Sequence, residues 1–84
     1  MRKLKKISRV LIANRGEIAV RVARTLKEMG IKSVAVAADP DLDALHTLVC
    51  DQVVPIGGSS PLESYLVQEK ILQAARDTGA DAIH

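Results

Sequence analysis

The chain has 84 residues, of which 48% are apolar, and a formal net charge of +2 at pH 7. A domain of this length buries only about 60–65% of the surface that its unfolded chain exposes, so the core is small. Tyr65 is the only aromatic residue, which predicts a core of Val, Ile, Leu and Ala, typical of a parallel sheet between helices. Cys50 is the only cysteine, so an internal disulfide is excluded and a reducing, cytoplasmic location is expected. No apolar run approaches the roughly 20 residues of a membrane span, which predicts no membrane partner.

The excess positive charge is confined to the N-terminus. From Val10 onward the chain has seven basic and ten acidic residues. A basic surface spread over the fold is the usual sign of nucleic-acid binding, so we expect no nucleic-acid partner. Residues 1–8 are instead interpreted as a basic lead-in. The basic residues among the first nine are Arg2, Lys3, Lys5, Lys6 and Arg9.

Strands and helices alternate along the chain. In order, the patterns predict a strand at 10–13, a helix at 16–29, a strand at 33–38, a short helix at 42–49, a strand at 52–56, one helical turn at 61–66, a helix at 68–78 and a strand from 82. This alternation predicts right-handed crossovers and a Rossmann-like parallel α/β sheet with flanking helices. Because the fourth strand is the last element, the sheet is expected to be incomplete at its C-terminal end. The chain is interpreted as an N-terminal fragment of a longer protein.

Helical spacing identifies the residues expected to face the core. Gly30 and Gly79 are predicted to end the two long helices in the left-handed conformation, with Ile31 packing back on the first helix. The predicted buried positions are Ile18, Val22, Leu26 and Met29 of the first helix and Ile71, Leu72 and Ala75 of the last.

The turn between the first strand and helix partly fits a dinucleotide-binding fingerprint. That fingerprint is G-x-G-x-x-G/A, and here the register is Asn14-x-Gly16-x-x-Ala19, so two of three positions fit. Asp39, at the end of the second strand, occupies the place of a ribose-binding acid. One hypothesis is therefore a small stand-alone nucleotide-binding module that uses Asn14, Gly16 and Asp39. A stand-alone interaction module that docks on a partner's sheet or helix is a further hypothesis.

The favoured interpretation of residues 14–17 is a structural turn. Arg15 and Glu17 place bulk and negative charge where a pyrophosphate would approach the helix N-terminus. On this interpretation Gly16 allows close contact between helix and sheet, and Glu17 favours the helix start. Arg15 remains unexplained.

Charged residues form a stripe along the first helix at steps of four, three and four. Its members are Glu17, Arg21, Arg24 and Glu28. The pairs Glu17–Arg21 and Arg24–Glu28 each stabilise an isolated helix by about 0.2–0.5 kcal/mol, so a self-paired, solvated face is one interpretation. The order acid, base, base, acid is palindromic, and a two-fold interface between copies is the other interpretation.

The remaining reactive residues predict no catalytic or metal site. His46 and His84 have no Cys or acid at zinc-ligand spacing. His46 is expected to be a partly exposed packing residue, and Cys50 a buried, unreactive thiol. The sequence Gly-Gly-Ser-Ser at 57–60 lacks the Lys-Ser or Lys-Thr of a P-loop, so Ser59 or Ser60 is expected to cap the turn that begins at Pro61.

Several blocks of the sequence resemble biotin carboxylases, the ATP-dependent components of acetyl-CoA, propionyl-CoA and pyruvate carboxylases. The first block, Ile12 to Ala19, resembles the beginning of biotin carboxylase sequences. Others follow in the family's order: Gly30-Ile31-Lys32, Ala44-Leu45-His46, Glu63-Ser64-Tyr65-Leu66 and Gly79-Ala80-Asp81-Ala82-Ile83-His84. The resemblance implies that residues 1–84 are the N-terminal part of the pre-ATP-grasp domain, a Rossmann-like sheet, without the ATP-grasp and C-terminal domains.

The resemblance also implies roles for this segment. The positions of Arg21, Arg24 and Glu28 lie at the subunit dimer interface in this family of ligases. The family reaction uses ATP, magnesium and bicarbonate to carboxylate carrier-bound biotin, mainly in domains that these residues do not include. The segment alone is therefore expected to bind no cofactor or metal and to be inactive. The implied partners are the remainder of the carboxylase chain, a second copy in a homodimer, the biotin carrier protein and the carboxyltransferase.

Overall fold

The computed structural model describes residues 6–84, so residues 1–5 of the predicted basic lead-in lie outside the described part. Four strands alternate with three α-helices. These are β1 (Arg9–Ile12), α1 (Gly16–Glu28), β2 (Lys32–Ala37), α2 (Leu45–Val49), β3 (Gln52–Pro55), α3 (Gln68–Thr78) and β4 (Ala82–Ile83). Short 3-10 turns at Asp39–Asp41 and Pro61–Glu63 precede α2 and α3. The predicted elements are present, with ends shifted by one to three residues except for α3, which matches.

The four strands form one parallel sheet in the order β3-β2-β1-β4. Val10 pairs with Ser33 of β2 on one side and with Ala82 of β4 on the other. The predicted parallel α/β fold is therefore confirmed. Among residues 6–84, no helix is long and apolar enough to cross a membrane.

Helices cover both faces of the sheet. On one face α1 and the end of α2 cover a cluster built on Val10 and Ile12. On the other face α3 covers a cluster built on Leu11, Val34 and Val36. Alternate residues of β1 thus enter opposite clusters, as the two-residue period of a strand requires.

The predicted buried face of α1 is partly wrong. Ile18 and Met29 are 56% and 66% exposed, whereas Ala19 and Ala23 are at most 1% exposed. The helix turns its small alanines toward the sheet because a methyl side chain lets the two backbones approach closely. Leu26 is buried, as predicted.

The face of α3 also differs from the prediction at one position. Ile71 is buried, whereas Leu72 is 43% exposed. Ala74 and Thr78 complete the buried face, and the Thr78 hydroxyl donates to the Ala74 carbonyl at 2.8 Å. That hydrogen bond satisfies the buried hydroxyl inside the helix.

Both predicted glycine helix ends are confirmed. Gly30 and Gly79 have φ of 74° and 70°, in the left-handed region. After Gly30, the Ile31 amide donates to the Leu26 carbonyl at 2.8 Å, and the Ile31 side chain packs against the α1 cluster. This is the arrangement that a left-handed glycine makes possible at a helix C-terminus.

Two aspartates fix the amino ends of neighbouring strands. Asp81, just before β4, accepts from the amides of Ser8 and Arg9 at 2.8 and 3.0 Å. Asp51, just before β3, accepts from the Ser33 amide at 2.8 Å. Backbone hydrogen bonding by Ser33 lowers the pKa of Asp51. These contacts hold the strand registers, which set where the opposite, carboxyl ends of the strands lie.

Candidate functional site

The sheet reverses its strand order beside β1. From β1 the chain crosses to β2 and β3 on one side, and α3 then returns it to β4 on the other side. In open α/β sheets, ligands bind outside the carboxyl ends of the strands where the order reverses. Here that point lies between the ends of β1 and β4, which lead to Asn14 and His84.

Asn14 and His84 are in direct contact at this point. The Nδ1 atom of His84 lies 2.9 Å from Oδ1 of Asn14. The backbone extends the β1–β4 pairing to the same level, because the Ala13 amide donates to the His84 carbonyl at 3.1 Å and the His84 amide donates to the Leu11 carbonyl at 2.9 Å. Main-chain and side-chain hydrogen bonds therefore fix both ends together.

A second cluster at the carboxyl edge explains Arg15. Its Nε donates to Oδ2 of Asp41 at 3.1 Å and its Nη2 donates to Oδ1 at 3.3 Å. The guanidinium also lies 4.9 Å from the centre of the Tyr65 ring. Tyr65 donates its hydroxyl hydrogen to Asp41 and accepts from the Ala38 amide at 3.0 Å. The phenol of Tyr65 and the carboxylate of Asp41 thus connect the turn after β1, the loop after β2 and the segment before α3.

The cluster changes the ionisation of its members. The hydrogen bonds from the Tyr65 hydroxyl and then from Arg15 lower the pKa of Asp41. Burial, followed by the hydrogen bond to Asp41, raises the pKa of Tyr65. The hydrogen bond with Asp41 raises the pKa of Arg15. At neutral pH the cluster therefore contains a direct ion pair between Arg15 and Asp41 and a neutral Tyr65 hydroxyl that donates to the same carboxylate.

The predicted reason for a glycine at position 16 is wrong. A Cβ atom at Gly16 would meet nothing within 4 Å, so close contact between helix and sheet does not require glycine here. The requirement comes from the backbone, because Gly16 has φ of 60°. Only glycine adopts this left-handed conformation without steric cost.

The turn does not have the features of a dinucleotide site. No residue other than glycine has a positive φ within residues 6–84, so Asn14 does not adopt the left-handed conformation that would replace the first glycine of the fingerprint. Asn14 Oδ1 is occupied by His84, and Glu17 is exposed in the first turn of α1. Asp39 lies in the 3-10 turn after β2, and its amide donates to the Gly58 carbonyl at 3.1 Å.

The glycine-serine loop agrees with the prediction in the position of its cap but differs in its hydrogen bonds. Ser60 is the N-cap residue of the turn at Pro61, but its hydroxyl does not bond to a backbone amide of that turn. Instead, the hydroxyls of Ser59 and Ser60 donate to Oε1 of Glu63 at 2.8 and 3.0 Å. These hydrogen bonds lower the pKa of Glu63. A Cβ at Gly58 would lie 2.8 Å from the Glu63 carbonyl oxygen, so the loop closes tightly around a glycine.

The charged stripe of α1 faces outward. Arg21, Arg24 and Glu28 are all exposed, on the side of the helix opposite Ala19 and Ala23. Arg21 Nε lies 3.8 Å from Oε1 of Glu17, which confirms the first predicted pair. The second predicted pair, Arg24–Glu28, is not formed among residues 6–84.

His46 is more buried than predicted, and Cys50 is less buried than predicted. His46 is 1% exposed, and its Nε2 lies 3.3 Å from the Val36 carbonyl oxygen. The neighbouring Leu45 and Leu48 are exposed instead, because α2 turns His46 and Thr47 toward the core. Cys50 is half-buried, and burial raises the pKa of its thiol. Residues 6–84 contain no group of three or more metal-ligating side chains that could hold an ion.

Comparison with known proteins gives consistent matches over almost the whole chain. A family model described as the N-terminal domain of biotin carboxylase matches residues 6–84. The alpha chain of mitochondrial propionyl-CoA carboxylase from Caenorhabditis elegans is 51% identical over 79 residues, which are 94% of this chain and 11% of that protein. A pyruvate carboxylase subunit from Methanothermobacter thermautotrophicus is 51% identical over 77 residues, which are 92% of this chain and 16% of that protein.

Solved structures of carboxylases also match this chain. Kluyveromyces lactis urea carboxylase matches with a TM-score of 0.90 and 55% identity, over 92% of this chain and 7% of that chain. Rhizobium etli pyruvate carboxylase matches with a TM-score of 0.89 and 43% identity, over 95% of this chain and 8% of that chain. The present chain thus spans only a small part of the length of the proteins that it matches.

Proposed function

Because this chain belongs to the family of biotin carboxylase N-terminal domains, we propose that it is the scaffold and dimer-contact segment of a biotin-dependent carboxylase. The observation that carries the proposal is the match of residues 6–84 to that domain, together with identities near 50% to carboxylase components. The parent would be an ATP-dependent ligase that carboxylates carrier-bound biotin with bicarbonate.

The segment itself is proposed to be non-catalytic. Residues 6–84 offer no cluster of ligands for Mg²⁺, and the turn before α1 lacks the geometry of a nucleotide site. ATP, Mg²⁺, bicarbonate and biotin would therefore be held by other parts of the longer chain. The role left to this segment is to support the sheet and to present α1.

The charge arrangement on α1 supports a contact with a second copy of the carboxylase. Arg24 and Glu28 are exposed and do not pair with each other. A two-fold axis between them would place Arg24 of each copy opposite Glu28 of the other, and an isologous interface requires this kind of self-complementarity. Arg21 would lie at the edge of the same contact.

The remaining partners follow from the proposed parent. They are the rest of the carboxylase chain, the biotin carrier protein and the carboxyltransferase, with no nucleic-acid or membrane partner. We propose a cytoplasmic location because the chain has a single cysteine and so forms no internal disulfide. Disulfides are rare in reducing compartments such as the cytoplasm.

Reading the source DNA downstream of the His84 codon tests the proposal. It predicts an open frame that continues into a glycine-rich loop of the Pro-Gly-Tyr-Gly kind and then an ATP-grasp domain. A stop codon directly after His84 would contradict it and would favour an independent small protein, either an interaction module or a nucleotide-binding module that uses Asn14, Gly16 and Asp39. Saturable binding of NAD, FAD or ATP to the 84-residue chain, with a Kd below about 1 mM, would support the nucleotide-binding module.

A further inference from the structure

We propose that the groove between the N-terminus of α1 and the start of α2 binds a small oxyanion that keeps a hydroxyl hydrogen, namely hydrogen phosphate. Two adjoining cavities of about 360 and 270 Å³ form this groove, and both are lined by Gly16, Ala44 and His46. The groove lies at the carboxyl edge of the sheet, where open α/β sheets bind their ligands. It is separate from the sites of ATP, Mg²⁺, bicarbonate and biotin, which the proposed function assigns to other parts of the longer chain.

His46 brings an unpaired nitrogen to this groove. The residue is 1% exposed, and its Nε2 lies 3.3 Å from the Val36 carbonyl oxygen. A carbonyl oxygen can only accept, so Nε2 carries the hydrogen of the neutral imidazole and Nδ1 is left as an acceptor. Nδ1 is buried and has no hydrogen-bond partner within residues 6–84. A buried acceptor without a donor is unfavourable, so a ligand that brings an O–H group to Nδ1 is stabilised there.

Other groups at the groove favour a negatively charged ligand. The 13-residue helix α1 has no side-chain hydrogen bond that caps its N-terminus. Gly16 and Glu17, in its first turn, line the groove, so their amides are donors for a bound anion. Arg24 lines the same groove and forms no ion pair within residues 6–84. The partial positive charge of the helix N-terminus and the guanidinium of Arg24 therefore act on the same space.

The two carboxylates that line the groove are balanced by neighbouring cations. Asp41 Oδ2 lies 3.1 Å from Arg15 Nε. Glu17 Oε1 lies 3.8 Å from Arg21 Nε, and the Glu17 side chain is 83% exposed. Because each carboxylate has its own guanidinium, Arg24 and the N-terminus of α1 leave the groove with a net positive charge. A small anion is attracted to such a site.

A hydrogen phosphate ion matches both kinds of group at once. Its unprotonated oxygens accept from the first amides of α1 and from Arg24, and its hydroxyl group donates to His46 Nδ1. Sulfate has the same tetrahedral shape but no hydrogen at neutral pH, so it would leave Nδ1 without a donor. The phosphate hydroxyl reaches the covered Nδ1 when α2 moves slightly away from α1. No side-chain hydrogen bond caps the N-terminus of α2 at Ala44 to oppose that movement.

Nitrogen-15 spectra of the 84-residue chain, titrated with inorganic phosphate and with sulfate, test the site. With phosphate, the Gly16 and Glu17 amide signals and the His46 Nδ1 signal should shift together and saturate with a Kd of about 1 mM. Sulfate should bind about tenfold more weakly, the change that corresponds to one hydrogen bond. Equal affinities for the two anions, no saturation with phosphate, or an unmoved Nδ1 signal would each overturn the proposal. Tighter binding of bicarbonate than of phosphate would overturn the choice of ligand.

Variants of groove residues locate the bound anion. Arg24→Gln should weaken phosphate and sulfate binding by the same factor. Lys27→Gln, which removes an equal charge from α1 outside the groove, is the matched control and should leave both affinities nearly unchanged. Ala44→Leu fills the groove and should abolish binding, while the dispersion of the amide signals reports that the chain is folded. Phosphate binding that survives in Ala44→Leu would overturn the proposal. None of these measurements involves carboxylation of biotin, so their failure and failure of the proposed function are distinguishable.

Discussion

Tyr65 donates its hydroxyl hydrogen to the carboxylate of Asp41, 24 residues earlier in the chain. The hydroxyl oxygen of Tyr65 accepts from the Ala38 amide at 3.0 Å, and the Tyr65 ring lies against the Arg15 guanidinium. The Tyr65 side chain therefore connects the segment before α3 with the loop after β2. Arg15, in the turn after β1, contacts both Asp41 and Tyr65, so this turn is held in the same cluster. This contact fixes the carboxyl edge of the sheet.

Removing the hydroxyl group should lower stability measurably. Tyr65→Phe keeps the ring but deprives the buried Ala38 amide of its acceptor, and an unsatisfied buried donor costs about 1–3 kcal/mol. Urea unfolding of the 84-residue chain measures this change. Thr25→Ala removes an exposed hydroxyl from α1 and should change the free energy of unfolding by less than about 0.5 kcal/mol. Equal effects of the two variants would contradict the role of Tyr65.

Stability should depend on pH through Asp41. The Tyr65 and Arg15 hydrogen bonds lower the pKa of Asp41 in the folded state, below the value of about 3.9 for an unfolded aspartate. Above about pH 4 this contribution is fully present, and it is lost as the pH falls through the lower folded-state pKa.

The measurement is the free energy of unfolding as a function of pH below about pH 4. Asp41→Asn should show a shallower loss of stability than the original chain. Asp43→Asn, which changes an exposed residue of the same loop, is the control and should keep the original slope. A slope in Asp41→Asn as steep as that in the control would show that Asp41 contributes nothing to acid sensitivity.

Two glycines with positive φ should differ in their tolerance of alanine. Gly16 has open space at its Cβ position, so Gly16→Ala should cost only the left-handed backbone strain of about 1–2 kcal/mol. Gly58→Ala adds a 2.8 Å approach to the backbone oxygen of Glu63 and should cost at least about 1 kcal/mol more. Thermal unfolding of both variants provides the comparison, and a smaller cost at Gly58 would refute the tight closure of the loop.

The proposed dimer contact predicts a charge-reversal rescue. In the longer carboxylase, Arg24→Glu would place two carboxylates opposite each other and weaken the dimer, and Glu28→Arg would do the same with two guanidinium groups. The double variant restores opposite charges and should restore association. Sedimentation velocity measures the dimer fraction, with Lys27→Glu on the same helix as the control. Failure of the double variant to recover would rule out this pairing.

Local signals in the sequence are sufficient to predict the elements, with their ends placed to within three residues. Gly79 alone marks the end of α3, and the alternation of strands with helices predicts the parallel sheet. The buried face of α1 is less predictable, because Ala19 and Ala23 are weakly apolar and their burial depends on how closely the helix approaches the sheet. Ile18 and Met29 are more apolar but lie on the outer side.

The carboxyl-edge cluster could not be predicted because its members are distant in sequence. Nothing local connects Arg15, Asp41 and Tyr65, and Asp41 is one acid among several in a loop. Two signals point toward the cluster: Arg15 has no explanation in the turn, and Tyr65 is the only aromatic ring available for a cation. The burial of His46 has no such signal, because its partner is a backbone carbonyl of β2.

This chain is proposed to be a non-catalytic part of a biotin-dependent carboxylase. The most direct test is transfer of radiolabelled bicarbonate to free biotin in the presence of ATP and Mg²⁺, measured in parallel for the 84-residue chain and for the full product of its reading frame. We predict label on biotin with the full product and none with the 84-residue chain. Label formed by the 84-residue chain, or none formed by the full product, would contradict the account.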